Sequence, residues 1–396
     1  MLHSDQIILL NSNLGTKGGG ENSTLQFAKY FSEKYPNKSV IILTSEIKPP
    51  TLDSLSVYFG LKMTENVSIE TIRISEFKRN IPYLGKFLLY LKFLFRVRNV
   101  FLFLNHANIS FLFPYAKKNI YLIMFPFTAY WGKIYVRLIK TRLMGFLLSR
   151  YDLVIANSEF TQLEIGKAWN GLFSKVVQPY FIPSKHLTRN KSFKQNQIGI
   201  LTISRFTSEG HSKNQDLLLE CFVKLRKILS PEIQLSYTLI GSLDENSDND
   251  KKYYNSLIEK YGNDSNIRFH PNVSFKELEK AYSEHDIFWL GTGFDRDSLQ
   301  ISPAYYEHFG IVLLEAMSYG LVPFACDRGG PVEILSRFEK SFLVNDLNDL
   351  IEKTSLYINL SESEKVLMSK KASETVSYFN ENQFIKKMDE IVSIYF

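Results

Sequence analysis

Short apolar runs alternate with stretches of helical periodicity along most of the chain. In the first part of the chain, runs rich in Ile, Leu, Val and Phe predict buried strands at 6–11, 39–44, 100–104, 119–124 and 152–156. A loop with four glycines follows the first strand, and a helix is predicted from about residue 22 to residue 32. This alternation of strands with helical or loop segments is typical of a parallel, doubly wound sheet.

The same alternation begins again after a polar stretch at 179–197, which contains two prolines and is typical of a linker. The apolar runs beyond it predict strands at 198–203, 235–240, 266–269, 286–290 and 321–325. Helical periodicity predicts helices at 214–229, 251–261, 275–284, 310–319, 346–358, 362–378 and 382–394. The second part therefore predicts a second Rossmann-like sheet.

The length of 396 residues suits two α/β domains, each under about 200 residues. We expect an N-terminal Rossmann-like domain at 1–185, a linker at 186–196 and a second Rossmann-like domain at 197–378. A final helix at 379–396 is expected to pack back on the first domain. Two doubly wound domains of this kind are expected to face a central cleft, with ligands bound where the strands end.

The composition is that of an ordinary globular protein, with 45% hydrophobic and 22% charged residues. The two cysteines, Cys221 and Cys326, stand in apolar contexts without metal-ligand spacing, so we interpret them as reduced core residues. Such cysteine usage fits a cytoplasmic protein. Neither a secretory signal nor a membrane-spanning helix is expected from the apolar stretches, which are short or interrupted.

The charge is distributed unevenly. Residues 1–180 hold 22 Lys and Arg against 11 Asp and Glu, and the rest of the chain holds 25 against 30. Residues 77–151 contain 13 Lys or Arg and no acid, interleaved with aromatic residues. This pattern predicts an anionic partner, and we interpret 77–150 as a surface for peripheral attachment to the cytoplasmic face of an anionic membrane. The alternative is an ordinary core with solvated cations outside it; nucleic acid is disfavoured because no recognition motif accompanies the charge.

Candidate chemistry is concentrated between Glu307 and Glu333. Gly310 ends a loop and a helix follows, so free N–H groups and the positive end of a helix dipole are available to a phosphate. Leu313, Leu314 and Met317 share one face of that helix and Glu315 points away from it. Two acids beside a helix start could accept hydrogen bonds from the two sugars of a nucleotide sugar, although two glutamates eight residues apart are also common on solvated surfaces.

The whole segment resembles the signature of retaining glycosyltransferases of family 4, in which EHFGI, EAM, a glycine, a proline and GG-x-x-E follow one another. The resemblance implies the two-domain GT-B fold. It also implies that Glu307 contacts the donor sugar, that Glu315 contacts the ribose, and that the amides around Phe309, Gly310 and Ile311 contact the diphosphate. Gly329 and Gly330 would let the backbone pass close to the ligand.

A second motif follows the strand at 198–203 and contains Arg205 and Lys213. It resembles the family's diphosphate clamp, in which His211 would orient the loop. Cations are needed there because the leaving nucleoside diphosphate gains negative charge as the glycosidic bond breaks. A metal ion is not required for that stabilisation.

The glycine loop at 15–20 matches neither a P-loop nor a dinucleotide fingerprint, because Glu21 stands where a P-loop has lysine. It resembles the first loop of the same transferase family, in which Gly19 and Gly20 would face the donor, although a plain βα turn also fits. His106 follows the strand at 100–104, where it either meets the sugar or acceptor or serves as a structural histidine. Met124 stands where some relatives carry a histidine before an aromatic-proline pair.

The sequence therefore predicts a retaining, metal-independent glycosyltransferase that uses a UDP- or GDP-sugar as donor and needs no other cofactor. The expected acceptor is a lipid-linked glycan in cell-surface polysaccharide or glycolipid synthesis. A glycosidase also uses paired carboxylates but needs no cationic clamp. A sugar-nucleotide 2-epimerase of the same fold and a non-catalytic membrane-associated subunit remain as alternatives.

Overall fold

The computed structural model describes residues 5–15, 18–72, 84–107, 110–182, 196–207, 212–295 and 302–396. The chain divides into two compact units. The first comprises Met1–Ile182 together with Asn380–Phe396, and the second comprises Pro183–Phe379. Both are layered α/β structures around a parallel sheet, so the predicted fold class is confirmed.

The first unit is built on seven strands in the order β3-β2-β1-β4-β5-β6-β7, and every described pairing is parallel. The bounds are Gln6–Leu10 (β1), Ser39–Thr44 (β2), Val67–Thr71 (β3), Leu102–Asn105 (β4), Lys118–Ile123 (β5), Leu153–Ala156 (β6) and Lys175–Val176 (β7). Ile7 and Leu9 belong to one buried cluster, and Ile8 and Leu10 belong to another. The strands are apolar at successive positions because both faces of the sheet are covered.

The described helices of the first unit are Gly19–Lys34, Leu52–Phe59, Leu84–Val97, Ile134–Leu148, Glu159–Ala168 and Glu381–Tyr395. The first of them begins three residues before the predicted start. The reason is a local cap, in which the Gly18 amide donates to Glu21 Oε2 at 2.8 Å. Gly19 and Gly20 therefore lie in the first helical turn and not in the loop before it.

The C-terminal helix Glu381–Tyr395 belongs to the first unit. The Phe384 ring lies 5.2 Å from Phe27 and 5.1 Å from Tyr180, centroid to centroid. At the rim, Tyr30 donates a hydrogen bond to Asp389 at 2.9 Å. Aromatic packing thus joins the last helix to Gly19–Lys34 across more than 350 residues of sequence.

The second unit contains six parallel strands in the order β10-β9-β8-β11-β12-β13. Their bounds are Gln197–Ile203 (β8), Gln234–Gly241 (β9), Ile267–Pro271 (β10), Ile287–Leu290 (β11), Val322–Cys326 (β12) and Leu343–Val344 (β13). The described helices are Gln215–Ile228, Asp248–Tyr261, Phe275–Glu284, Ile311–Ser318, Pro331–Phe338, Leu347–Ile358 and Glu362–Thr375. The predicted helix at 362–378 ends at Thr375, and a 3-10 turn at Val376–Phe379 follows.

Cys221 and Cys326 are free and buried, as predicted. Among the described residues, the helices are all too short or too polar to cross a bilayer.

Candidate functional site

The candidate residues of the second unit lie in the loops at the carboxyl edge of its sheet and in the helix Ile311–Ser318 that follows one of them. The strand order changes direction between β8 and β11, which are hydrogen-bonded neighbours. In open α/β sheets, ligands bind outside the carboxyl ends of the strands at such a switch point. Arg205 follows β8 and Thr292 follows β11, so both lie at this position.

An ion pair joins two of the predicted residues. Lys213 Nζ donates to Glu307 Oε2 at 3.0 Å, although the residues are 94 positions apart in sequence. The side chains are only 13% and 17% exposed, so solvent screens the pair weakly. Lys213 Nζ also donates to Thr292 Oγ1 at 3.2 Å, and Thr292 is buried. The arrangement places a cation and a carboxylate together at the carboxyl edge of the sheet.

Asn214 holds the lysine loop against the loop that follows β11. Its backbone has a left-handed φ of 52°, and its Nδ2 donates to the carbonyls of Gly291 and Phe294, each at 2.9 Å. A Cβ on Gly291 would lie 2.3 Å from the carbonyl oxygen of Lys213. Glycine at 291 is therefore required for the close approach that positions Lys213.

Arg205 is positioned through its backbone by a buried glutamine. Gln215 Nε2 donates to the Arg205 carbonyl at 2.8 Å and to Ser204 Oγ at 2.9 Å, while its Oε1 accepts from Tyr253 at 3.1 Å. The Arg205 side chain is exposed and has no hydrogen-bond or ion-pair partner in the described part of the chain. Its guanidinium is thus available to an anion, while His211 lies outside the described residues.

The helix Ile311–Ser318 begins directly after Gly310, whose φ is 97°. The Leu313 amide donates to the Gly310 carbonyl at 2.9 Å, whereas the amides of Ile311 and Val312 have no carbonyl one turn earlier in the helix and point out of its start. Leu313, Leu314 and Met317 are buried, as their spacing predicts. Phe309 is also buried, and its ring lies 5.9 Å from Phe379, so the ring packs in the core and only its backbone faces the helix start.

Gly329 and Gly330 have a protein neighbour that the sequence did not indicate. A Cβ on Gly329 would lie 2.4 Å from the carbonyl oxygen of Glu307, and one on Gly330 would lie 2.3 Å from the Cα of Phe309. The Gly330 amide also donates to the Glu307 carbonyl at 2.7 Å. These glycines therefore support the backbone that carries Glu307, in addition to any approach to a ligand.

Glu315 is partly buried and accepts a hydrogen bond from one of two stacked tyrosines. Its Oε2 accepts a hydrogen bond from Tyr282 at 2.9 Å, and the Tyr282 and Tyr319 rings stack with centroids 5.1 Å apart. Loss of hydration raises the pKa of the Glu315 carboxyl to about 7, and the Tyr282 hydrogen bond partly opposes that rise. The carboxylate is therefore a poorly hydrated acceptor for hydroxyl groups.

In the first unit, His106 lies at the carboxyl end of β4 and is buried. Its Nδ1 shares a 2.6 Å hydrogen bond with Thr24 Oγ1, which also accepts from Asn11 Nδ2 at 2.8 Å. Burial lowers the pKa of His106 to about 4, so the imidazole is neutral at physiological pH. Thr24 lies one turn after Gly20 and donates to its carbonyl at 3.1 Å, which connects His106 to the glycine segment.

Four residues that position the site were not predicted from the sequence: Thr292, Gly291, Gln215 and Tyr282. The Gly-Thr-Gly triplet at 291–293 directly follows β11. A small polar residue between glycines at the end of a strand indicates a candidate ligand-binding loop. Gln215 and Tyr282 had no such signal, because their roles depend on contacts with distant segments.

Comparison with known proteins finds a family match within the second unit. Residues 184–374 match the sequence profile of the family described as "Glycosyl transferases group 1". This range includes Arg205, Lys213, Glu307, Glu315 and the glycine pair at 329–330.

The chain spans about half the length of the curated relatives that it matches. The GDP-Man:Man(3)GlcNAc(2)-PP-Dol alpha-1,2-mannosyltransferase of Mus musculus is 28% identical over 250 residues, which is 61% of this chain and 48% of the relative. An alpha-1,3/1,6-mannosyltransferase of Kluyveromyces lactis is 26% identical over 222 residues, which is 50% of this chain and 42% of the relative.

Among solved structures, Anabaena HepE in complex with UDP and glucose is similar with a TM-score of 0.70 and 16% sequence identity. The match covers 98% of this chain and 99% of HepE. At this identity the likeness concerns the fold, which is the GT-B type with two Rossmann-like units.

Proposed function

We propose, from the match of residues 184–374 to the glycosyl transferases group 1, that the chain transfers a sugar from a nucleoside-diphosphate sugar to a glycan acceptor. The observation that carries the proposal is the Lys213–Glu307 ion pair at the carboxyl edge of the second sheet, beside a helix start. A cation, a carboxylate and free amides in one place suit the diphosphate and sugar of such a donor.

In this proposal, the diphosphate lies at the amides of Gly310 and Ile311, where Arg205 and Lys213 compensate its charge. Lys213 exchanges its contact with Glu307 for the phosphate oxygens, which frees Glu307 to accept hydrogen bonds from the donor sugar. Glu315 accepts from the ribose hydroxyls. The two cations stabilise the leaving diphosphate, which is the charge that develops in the transition state. The proposal therefore needs no metal ion.

The stereochemical part of the proposal is retention of configuration. The acceptor hydroxyl attacks from the face that the diphosphate leaves, and a diphosphate oxygen takes the hydroxyl proton. Neutral His106, together with Gly19 and Gly20, would contact the sugar or the acceptor. A buried neutral imidazole offers hydrogen bonds without adding charge.

GDP-mannose is the first candidate for the donor, because the curated relatives named above are mannosyltransferases and one name specifies GDP-Man. A UDP-sugar is the second candidate, because HepE was solved with UDP and glucose. The dolichol-linked acceptor named for the mouse relative favours a lipid-linked glycan as acceptor here. We further propose that residues 77–150 contact an anionic membrane surface on its cytoplasmic side, because this stretch lacks acids.

The proposal is tested by measuring how fast single-residue variants turn over the donor in the presence of an acceptor. We expect Glu307→Ala, Lys213→Ala and Arg205→Ala each to lower turnover by about 10²-fold or more, the scale of one lost transition-state contact. Lys224→Ala, which removes an exposed lysine from helix Gln215–Ile228, is the matched control and should retain wild-type turnover.

Wild-type rates in all three site variants would contradict the proposal. Conversion of the nucleotide sugar without any acceptor would identify a 2-epimerase instead. A chain that neither binds nor consumes a nucleotide sugar would be a non-catalytic subunit.

A further inference from the structure

The helix Ile134–Leu148 presents a large apolar face to solvent. Six of its fifteen residues are apolar or aromatic and at least 47% exposed: Ile134, Tyr135, Leu138, Ile139, Leu143 and Phe146. Only Met144, Leu147 and Leu148 of this helix are buried. Single exposed apolar residues are normal on a protein surface, but a contiguous set of this size on one helix marks an interaction site.

The exposed apolar residues form one face. With about 100° of rotation per residue, they occupy one side of the helix within an arc of about 180°. Trp131, which precedes the helix, is 39% exposed and packs on Phe127 with ring centroids 4.3 Å apart. The buried residues Met144, Leu147 and Leu148 lie on the other side of the helix. The helix therefore carries apolar residues on two opposite sides, of which one is buried and the other is exposed.

The charged side chains of this helix and of the residue before it are all cationic. Lys133, Arg137, Lys140 and Arg142 lie on or beside the helix, and they form no ion pair within the described part of the chain. The sequence from 77 to 151 contains no Asp or Glu. A second copy of the same face would bring cations against cations, so charge disfavours a dimer through this surface.

We propose that Ile134–Leu148 is an interfacial helix that inserts its exposed apolar face into a bilayer containing anionic lipids. A helix of fifteen residues is about 22 Å long, shorter than the hydrocarbon core of about 30 Å, so it lies in the plane of the interface. Arg142 lies within the apolar face by the same rotation, and its long side chain reaches lipid phosphates. This proposal rests on the proposed membrane contact and assigns that contact to one helix. It does not depend on the proposed donor site.

Vesicle sedimentation tests the proposal. The lipids are phosphatidylcholine alone and an equal mixture of phosphatidylcholine and phosphatidylglycerol. We expect the wild-type chain to sediment with the mixed vesicles and to partition at least about tenfold more weakly after Leu138→Gln together with Ile139→Gln. Ile228→Gln together with Leu356→Gln is the matched control, because both residues are 62% exposed in the second unit, and it should behave as wild type.

Tryptophan fluorescence tests whether the part of the chain next to this helix enters the bilayer. Trp131 is the exposed tryptophan of the chain, since Trp169 is 8% and Trp289 is 0% exposed. Mixed vesicles should shift the emission to the blue, and Trp131→Phe should remove that shift. Equal sedimentation of wild type and the Leu138/Ile139 variant would overturn the proposal, as would a shift that survives Trp131→Phe.

The oligomeric state in solution distinguishes a membrane from the alternative occupant of this face, which is a second copy of the chain. If the wild type is a dimer that the Leu138/Ile139 variant converts to a monomer, without vesicle binding, the face is a self-association surface and the proposal is wrong. Nucleoside-diphosphate binding is measured on the same samples. Nucleotide binding without vesicle binding by the wild type refutes the membrane helix alone, whereas vesicle binding without nucleotide binding by the wild type refutes the donor site alone.

Discussion

At the scale of single residues, the site is a set of polar groups whose chemistry depends on how little water reaches them. Lys213 and Glu307 are both less than one-fifth exposed, and the partly buried Glu315 accepts a hydrogen bond from Tyr282. Electrostatic interactions in such places are stronger than at the open surface. The same burial makes the ionisation of Glu315 costly to the fold.

Glu315→Gln should therefore separate stability from donor binding. Because the folded-state pKa of Glu315 is raised to about 7, its ionisation opposes folding as the pH rises from the ordinary glutamate range to about 7. We expect the variant to melt at a higher temperature than wild type at about pH 8 and at the same temperature at about pH 4. Thermal melts by circular dichroism measure this difference.

The same substitution should weaken donor binding, because an amide is a poorer acceptor for the ribose hydroxyls than a carboxylate. In wild type, donor affinity should rise with pH through about 7 as Glu315 ionises, and this rise should be absent in the variant. An identical pH dependence in both proteins would remove Glu315 from the ribose site.

Two glycine-to-alanine substitutions distinguish a steric role from a contact with ligand. Gly330→Ala would place a Cβ 2.3 Å from Phe309 Cα, so we expect it to displace the Glu307 backbone, lower the melting temperature and weaken donor binding. Gly20→Ala is the counterpart, because no atom lies within 4 Å of its Cβ position and the residue is helical. Its melting temperature should be unchanged or higher. Lower turnover by Gly20→Ala would then indicate a contact with substrate, while wild-type turnover would leave Gly20 as a plain helix-start residue.

At the scale of elements, the apolar runs predict most strands of both sheets to within about two residues, because strands covered on both faces are apolar at successive positions. The prediction fails where sequence is locally uninformative. Leu343–Val344 is too short to show a pattern, and Val67–Thr71 is polar at alternate positions because it is a sheet edge. The start of Gly19–Lys34 was predicted too late because glycine disfavours helices in general, whereas here the Gly18–Glu21 cap stabilises the first turn.

The candidate site was predictable to the extent that its residues lie in one contiguous motif. Glu307, Gly310 and Glu315 follow from the loop and helix around them. The roles of Tyr282 and Gln215 were not predictable. The sequence around a helical tyrosine or glutamine does not indicate a hydrogen-bond partner 33 positions away, as for Tyr282, or 38 positions away, as for Gln215. Such contacts arise only from the tertiary packing.

Removal of one ring from the C-terminal helix tests its part in the first unit. Phe384 is buried against Phe27, Tyr30 and Tyr180, so Phe384→Ala should reduce the free energy of unfolding by about 3–5 kcal/mol. Ile394→Ala is the control, because Ile394 is largely exposed on the same helix. Chemical denaturation followed by circular dichroism gives both values, and equal losses in the two variants would contradict the packing described here.

At the scale of the whole molecule, the two units differ in charge and in the functions proposed for them. The family match and the Lys213–Glu307 pair lie in the second unit, whereas the acid-free basic stretch and the exposed face of Ile134–Leu148 lie in the first. We therefore propose that the second unit holds the donor and that the first selects the acceptor and the surface on which it is found.

The central claim is that the Lys213–Glu307 site holds a nucleoside diphosphate. Calorimetric titration of GDP and of UDP into wild type, Lys213→Ala and the Lys224→Ala control measures it directly. We predict that one of the two nucleotides binds wild type and the control equally, and that Lys213→Ala weakens its binding by at least about tenfold. Equal binding by Lys213→Ala and wild type, or no binding of either nucleotide by wild type, would contradict the account.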